Sequence, residues 1–137
     1  MNKKKVIFIC TGNACRSQMA EGLLREMDGS SFEVFSAGSH PSRLHPASVT
    51  VMNEIGIDIS HHHSESIDKY INYGIDIAIT VCDNAKNHCP NFPGNPEQIH
   101  WSIEDPYHGW TSNEEDLPPY RETRDELIKR ISTFLKK

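Results

Sequence analysis

The chain has no excess of basic charge. Its 14 lysines and arginines are outnumbered by 19 aspartates and glutamates, giving a formal charge of −5 over 137 residues. That balance lacks the electrostatic footprint of a nucleic-acid-binding protein. The one basic cluster, Lys3–Lys5, is expected only to solvate the start of a strand. Long apolar runs are also missing, and nothing approaches the roughly 20 residues that a membrane span requires. No signal peptide precedes Val6, and there are no internal repeats, low-complexity tracts or linker-like stretches. The expectation is therefore one domain over residues 1–137, cytoplasmic and monomeric, without nucleic-acid or membrane partners.

Cysteine is sparse: Cys10, Cys15, Cys82 and Cys89. In a reducing cytosol these do not read as a structural disulfide framework. Their C-x4-C and C-x6-C spacings are poor matches to the C-x2-C pairs of zinc ribbons. The His61–His63 run is internal, and adjacent residues on one short segment seldom converge on a single metal. Two readings remain: buried structural thiols, or a catalytic set.

What is present is an alternation of elements. Lys5–Cys10 ("KVIFIC") is a β-branched and aromatic run of the length expected for a strand buried on both faces. Ser17–Met27 carries Met19, Ala20, Leu23, Leu24 and Met27 at helical spacing, and Asp28-Gly29 ends it. Phe32–Ala37 alternates as a strand, closed by Gly38. His45–Ile55 reads as a helix with Pro46 in its first turn and Gly56 after its end. Ser64–Tyr70 offers a short helix, Ile75–Val81 a second buried strand, Gln98–Ile103 a short strand, and Tyr120–Leu135 the last helix. Residues 82–97, rich in Asn, Pro and Gly, read largely as loop.

Strands alternating with helices predict an α/β fold with a parallel sheet covered on both faces. Ligands of such sheets bind at the carboxyl ends of the strands. Cys10 and Cys82 each follow the end of a predicted strand, so both are expected on the same rim.

Between Cys10 and Arg16 lie Thr11, Gly12, Asn13, Ala14 and Cys15. The glycine and the asparagine, which tolerates left-handed backbone, let such a loop turn its amides inward as an anion nest at the start of a helix. Arg16 adds a forked, permanently charged donor suited to a tetrahedral oxyanion. The same field is expected to lower the pKa of the Cys10 thiol. Ser17 is placed either to hydrogen-bond that sulfur or to cap the helix, or both. Cys82 and Cys89, in a polar segment on the same rim, are either incidental thiols or a disulfide relay.

The segment "CTGNACRSQMAEG" (Cys10–Gly22) resembles the phosphate-binding loop of the low-molecular-weight protein tyrosine phosphatase fold, which also includes the thioredoxin-coupled arsenate reductases. Phosphatase members usually read Arg-Ser-Pro; this chain has Arg16-Ser17-Gln18, as the reductases do. "TVCDNAKNHCPNFPG" (Thr80–Gly94), "IHW" (Ile99–Trp101) and "EDP" (Glu104–Pro106) extend the resemblance over nearly the whole chain. It implies a three-layer sandwich around a four-stranded parallel sheet, with arsenate held by residues 11–16 and phosphate or sulfate as analogues.

The resemblance further implies that Cys10 attacks arsenic while Asp105 protonates the departing oxygen. Cys82 then attacks Cys10, releasing arsenite, and Cys89 moves the disulfide to Cys82–Cys89 for reduction by thioredoxin. It requires no cofactor for the chemistry, but it implies a potassium ion at the positions of Asn13, Glu21, Ser36 and Glu65, the last usually Asp. His62 falls on a family histidine that orients its neighbours. Cys15 is given no redox role and packs beneath the loop.

Two departures keep alternatives open. "DPYHG" (Asp105–Gly109) is closer to the phosphatase pattern, so hydrolysis of phosphomonoesters through a Cys10 phosphoenzyme is the second reading, with Tyr107 either lining the pocket or packing on the loop. "VCDNA" is nearer to reductases using glutathione and glutaredoxin, although Asn84 stands where some of those carry a cysteine, and the Cys82–Cys89 spacing favours thioredoxin. A non-enzymatic oxyanion-binding or redox-sensing module is the third reading.

Overall fold

A computed structural model describes residues 3–82 and 92–136; Cys89 and Asn84 lie outside the described residues. Four strands, β1 (Lys4–Cys10), β2 (Phe32–Gly38), β3 (Ile77–Thr80) and β4 (Glu97–His100), form one sheet in the order β2-β1-β3-β4. Every pairing is parallel: Val6 lies opposite Val34 on one side and Ile77 on the other, and Cys10 opposite Gly38. β1 is central and its Val6–Ile9 core is buried on both faces, which is why its sequence is a continuous apolar run and not an alternation.

The helices are α1 (Arg16–Asp28), α2 (Pro46–Asn53) and α3 (Pro118–Leu135). On the Phe8 face, Phe8 meets Trp101, and Phe134 of α3 closes on both Trp101 and Phe32. α1 packs against α3 there, reaching Ser36 of β2 through Glu21. On the opposite face Phe35 packs against Tyr70, at 5.2 Å between ring centroids. Tyr70 ends a single 3-10 turn, Ile67–Tyr70, where a helix over 64–70 was expected. The turn is capped by Ser66, whose hydroxyl accepts from the Asp68 N–H.

Other boundaries moved for local reasons. α3 begins at Pro118 and not Tyr120, because consecutive prolines are tolerated in a first turn whose N–H groups have no helical acceptor. β3 is shorter than 75–81 because the Asp76 carboxylate accepts from Lys5 N–H in place of a regular ladder bond, although Val81 N–H still donates to the Ile9 carbonyl.

From β1 the chain moves to one neighbour, β2, then crosses to β3 on the other side, so the strand order reverses at the carboxyl end of β1. That is where a parallel sheet opens a crevice for a ligand, and it is where Cys10 stands. Gly38 ends the adjacent strand in close contact with the loop that follows Cys10. A Cβ there would lie 2.5 Å from the Thr11 carbonyl oxygen and 2.9 Å from the Asn13 nitrogen, both backbone atoms. Gly38→Ala should therefore displace the loop, lowering stability by about 1–3 kcal/mol and weakening phosphate binding; denaturant titration and calorimetry check both.

Candidate active site

The loop of residues 11–15 is shaped by what binds its carbonyls. Ser39, His40, Ser42 and His45 donate their backbone N–H groups to the carbonyls of Cys10, Thr11, Gly12 and Ala14, at 2.8–3.2 Å. The Asn13 carbonyl accepts from Gln18 Nε2 at 3.0 Å and Ser64 Oγ at 2.8 Å, and that of Cys15 accepts from Met19 N–H. In a trans peptide the N–H points opposite to the carbonyl, so taking each oxygen from around the loop turns the amides toward its centre. The Asn13 N–H accordingly donates to Cys10 Sγ at 3.2 Å. Asn13 has φ of 50°, the left-handed backbone expected of it.

Below the loop, hydrogen bonds run in one direction. Asn13 Nδ2 has two protons, given to Ser17 Oγ at 2.8 Å and Ser36 Oγ at 3.0 Å. Asn13 Oδ1 faces the Glu65 N–H and must accept. Ser36 then donates to Glu21, and the Ser17 proton is left for Cys10 Sγ, 2.8 Å away. Ser17 is wholly buried and makes no side-chain cap, so of its two expected roles only the bond to sulfur is realised.

One expectation is corrected. Burial pushes the Cys10 thiol up from its ordinary value, outweighing the Ser17 hydrogen bonds and the Arg16 charge that pull it down. The sulfur sits beneath the loop with 2% of the residue exposed, and the loss of solvent favours the neutral form.

Above Cys10 is a pocket of about 230 Å³ lined by the loop and by Arg16, Ser42, Asp105, Tyr107 and Trp110. Arg16 opens α1, donates to the Ile103 carbonyl at 3.0 Å and stands 3.6 Å from Asp105 Oδ2, so one guanidinium holds the segment after β4 against the loop. Asp105 is half exposed, and its Oδ1 accepts from the Tyr107 N–H. Tyr107, expected either to line the pocket or to pack on the loop, lines it. Cys82 follows β3 on the same rim as Cys10, its sulfur 3.5 Å from Thr11 Oγ1. Cys15 is buried at the start of α1, and burial pushes its thiol up to about 12.

The oxygens expected to hold potassium are already engaged. Glu21 accepts from Ser36 and Arg25, Glu65 pairs with Lys69 at 3.1 Å, and both Asn13 oxygens accept hydrogen bonds. As they stand, these residues do not fit a potassium ion.

Two residues given no structural role in the sequence reading organise the site. Gln18, wholly buried, donates to Asn13 and to the His63 carbonyl, and accepts from His62 Nδ1 at 3.0 Å. A proline at this position would have none of these bonds. His45 accepts from the Ala47 N–H through Nδ1, so the ring proton is on Nε2, which donates to the Gly109 carbonyl at 2.6 Å and lies 3.0 Å from the Tyr120 hydroxyl. Its ring stacks on Trp110 with 4.9 Å between centroids. His45 thus ties the Asp105-bearing segment to α2 and α3. Its only sequence signal was its position before Pro46.

A cysteine at the base of an amide-lined loop, with an arginine at the loop's end and a carboxylate across the pocket, defines a site for thiol attack on a tetrahedral oxyanion. Residues 5–137 match the model of the low molecular weight phosphotyrosine protein phosphatase family, and the chain belongs to that family. An arsenate reductase of Halalkalibacterium halodurans is 44% identical over 134 residues, covering 98% of this chain and 96% of the relative. A solved structure described as an arsenate reductase in the phosphate binding state is 32% identical and superposes with a TM-score of 0.82, covering 97% of each chain. A thioredoxin-dependent arsenate reductase of Corynebacterium glutamicum is also 32% identical, with a TM-score of 0.76; it covers 98% of this chain and 61% of its own.

Burial lowers the pKa of both His45 and His62. A folded-state pKa below the unfolded value of about 6.5 gives stability that is complete above that value and lost as pH falls through the folded value. The denaturation midpoint should therefore drop on acidification below about pH 6.5. His45→Gln should be less stable at pH 7.5 and show a shallower acid decline; denaturant titrations between pH 7.5 and 5 check the difference.

Proposed function

We propose that this chain reduces arsenate to arsenite through a relay of thiols that starts at Cys10. The observation that carries the reading is Cys82: a second buried thiol at the end of the neighbouring strand, beside Thr11 of the loop. Hydrolysis through a phosphoenzyme needs one cysteine; reduction needs a second to take the bond from the first.

Arsenate enters the loop as a dianion, against inward amides and Arg16. A neutral thiol beside a dianion has the same total charge as a thiolate beside a monoanion, so the Cys10 proton passes to a bound oxygen without new charge entering the site. Ser17 donates to the sulfur as it becomes anionic. The thiolate attacks arsenic, Asp105 assists protonation of the departing oxygen, and the products are Cys10–S–AsO₃²⁻ and water. The Cys82 thiol then attacks the Cys10 sulfur. The S–As bond breaks, its electron pair stays on arsenic, and the Cys82 proton leaves with the product. Arsenic(V) becomes arsenic(III) while two thiols become one disulfide.

Cys89, outside the described residues, takes its part from the family resemblance: its thiolate attacks Cys82, restoring Cys10 and leaving a Cys82–Cys89 disulfide. An external dithiol closes the cycle. Thioredoxin fits an internal disulfide and is the reductant of the Corynebacterium relative; glutathione with glutaredoxin is the alternative. A cytoplasmic location accompanies this reading, because such donors work there. No helix among the described residues is long and apolar enough to cross a membrane. Every residue assigned to the relay comes from one chain, so a monomer suffices. Weak turnover of phosphomonoesters accompanies this reading, because it begins with the same attack, and Tyr107 and Trp110 at the rim suit an aryl leaving group.

With thioredoxin, its reductase and NADPH, the protein should consume NADPH on addition of arsenate, whereas Cys82→Ser and Cys89→Ser should each abolish multiple turnover. Asp105→Asn should slow the first step by about 10²–10⁴-fold. If p-nitrophenyl phosphate is hydrolysed and no NADPH is consumed with either reductant system, the phosphatase reading replaces this one. Mass spectrometry after one oxidising cycle should find a Cys82–Cys89 bridge. Cys15 should resist iodoacetamide at pH 8 until the protein is unfolded, since burial holds it as a thiol up to about pH 12.

A further inference from the structure

Beneath the loop, on the side away from the oxyanion pocket, a cavity of about 200 Å³ is lined by Glu21, Ser36, Glu65, Arg25, Tyr70 and the histidine run. Arg25 lies one helical turn after Glu21. Its NH2 donates to Glu21 Oε2 at 2.5 Å and to the Val34 carbonyl of edge strand β2 at 2.7 Å. Its NH1 lies 3.4 Å from His62 Nε2, which accepts because His62 Nδ1 carries the proton given to Gln18. The guanidinium therefore lies among a carboxylate, a carbonyl and an imidazole, as a bound cation would.

We propose that the Arg25 guanidinium is this chain's built-in cation, occupying by covalent tether the electrostatic role of a metal ion at Glu21 and making the site independent of potassium. Charge balance supports this. Glu21 and Glu65 are matched by Arg25 and Lys69, two negative and two positive charges, so an added potassium ion would enter a neutral cluster and meet a guanidinium already on its best ligand.

The tether also reaches the nucleophile. Arg25 fixes the Glu21 carboxylate, and Glu21 takes the Ser36 proton. Ser36 must then accept from Asn13 Nδ2, which directs the other Nδ2 proton to Ser17 and leaves the Ser17 proton for Cys10 Sγ. Arg25 is thus a positioning residue. Without a cation, Glu21 has no counter-charge, and the order of donors and acceptors up to the sulfur loses its fixed end.

The inference needs Cys10 to be the nucleophile but does not need arsenate as substrate, so its test uses neither arsenate nor a reductant. Thermal midpoint and the rate of Cys10 alkylation by iodoacetamide at pH 8 are measured in potassium chloride and in tetramethylammonium chloride at equal ionic strength. The bulky cation screens charge, but its alkyl shell keeps carboxylate and hydroxyl oxygens from coordinating it as they would potassium. The natural chain should give the same values in both salts. Arg25→Ala should alkylate more slowly in tetramethylammonium by about two- to thirtyfold, the range for coupling through packed networks, and recover saturably with potassium. Arg25→Lys, which keeps a tethered cation, should restore indifference to potassium and serves if the alanine variant does not fold. A saturable potassium response in the natural chain overturns the proposal. So does an Arg25→Ala variant, or an Arg25→Lys variant standing in for it, whose response to potassium is not the one stated.

Discussion

The site depends on the orientation of a few peptide groups. A short loop with its amides turned inward must turn its carbonyls outward, and a buried carbonyl without a donor costs about 1–3 kcal/mol. Here the carbonyls are met in order by residues 39–45, by Gln18 and Ser64, and by the first turn of α1. Residues 39–45 follow β2, which pairs with β1 along its whole length, so the sheet register places these donors beside the loop. Gly38 permits the close approach, since its missing side chain leaves room for the Thr11 carbonyl. The anion site is thus built before any anion arrives, and the binding energy of an oxyanion is not consumed in ordering the loop.

The same burial that fixes the loop determines how the nucleophile is charged. A sulfur under closely packed backbone is poorly solvated as a thiolate, and the pull of Ser17 and Arg16 does not overcome this in the free protein. In the proposed reaction the incoming anion changes the balance by accepting the proton on an oxygen that must leave. Burial also slows attack on the thiol in the free protein, because it disfavours the thiolate that reacts. Cys15, within the loop, is likewise held as a thiol by burial, pushed up to about 12.

Features encoded by local composition were legible in the sequence. The apolar run before Cys10, the helical spacing after Arg16, and the second apolar run before Cys82 were enough to put both sulfurs on one rim, because a parallel sheet directs all strand ends the same way. Asn13 as a left-handed residue was legible from its chemistry. Contacts distant in sequence were not. The Arg16 bond to Ile103, the His45 bond to Gly109 and the Gln18 bond to His63 span 87, 64 and 45 residues, and no periodicity encodes them. The charge state of Cys10 was misjudged for a related reason: the loop field is local and readable, whereas the depth of burial, with 2% of the residue exposed, is a property of the folded chain.

What separates the two chemistries that one loop can begin is the agent that removes the covalent adduct. A phosphatase must admit water to the bound phosphorus, whereas a reductase must present a sulfur to a sulfur and keep water from competing. Cys10 and Cys82 are each 2% exposed, so bulk water has little access to either. A thiol held at the loop has an effective concentration that no diffusing reductant reaches. The position of Cys82 follows from strand order: β3 is the direct neighbour of β1, and its end is carried past Thr80 to the level of Thr11. A thiol at the end of β4, one strand further out, would stand about 5 Å more distant and would lose that advantage. The placement of the second thiol on the strand next to the nucleophile is therefore what turns an oxyanion-binding loop into the start of a reducing relay.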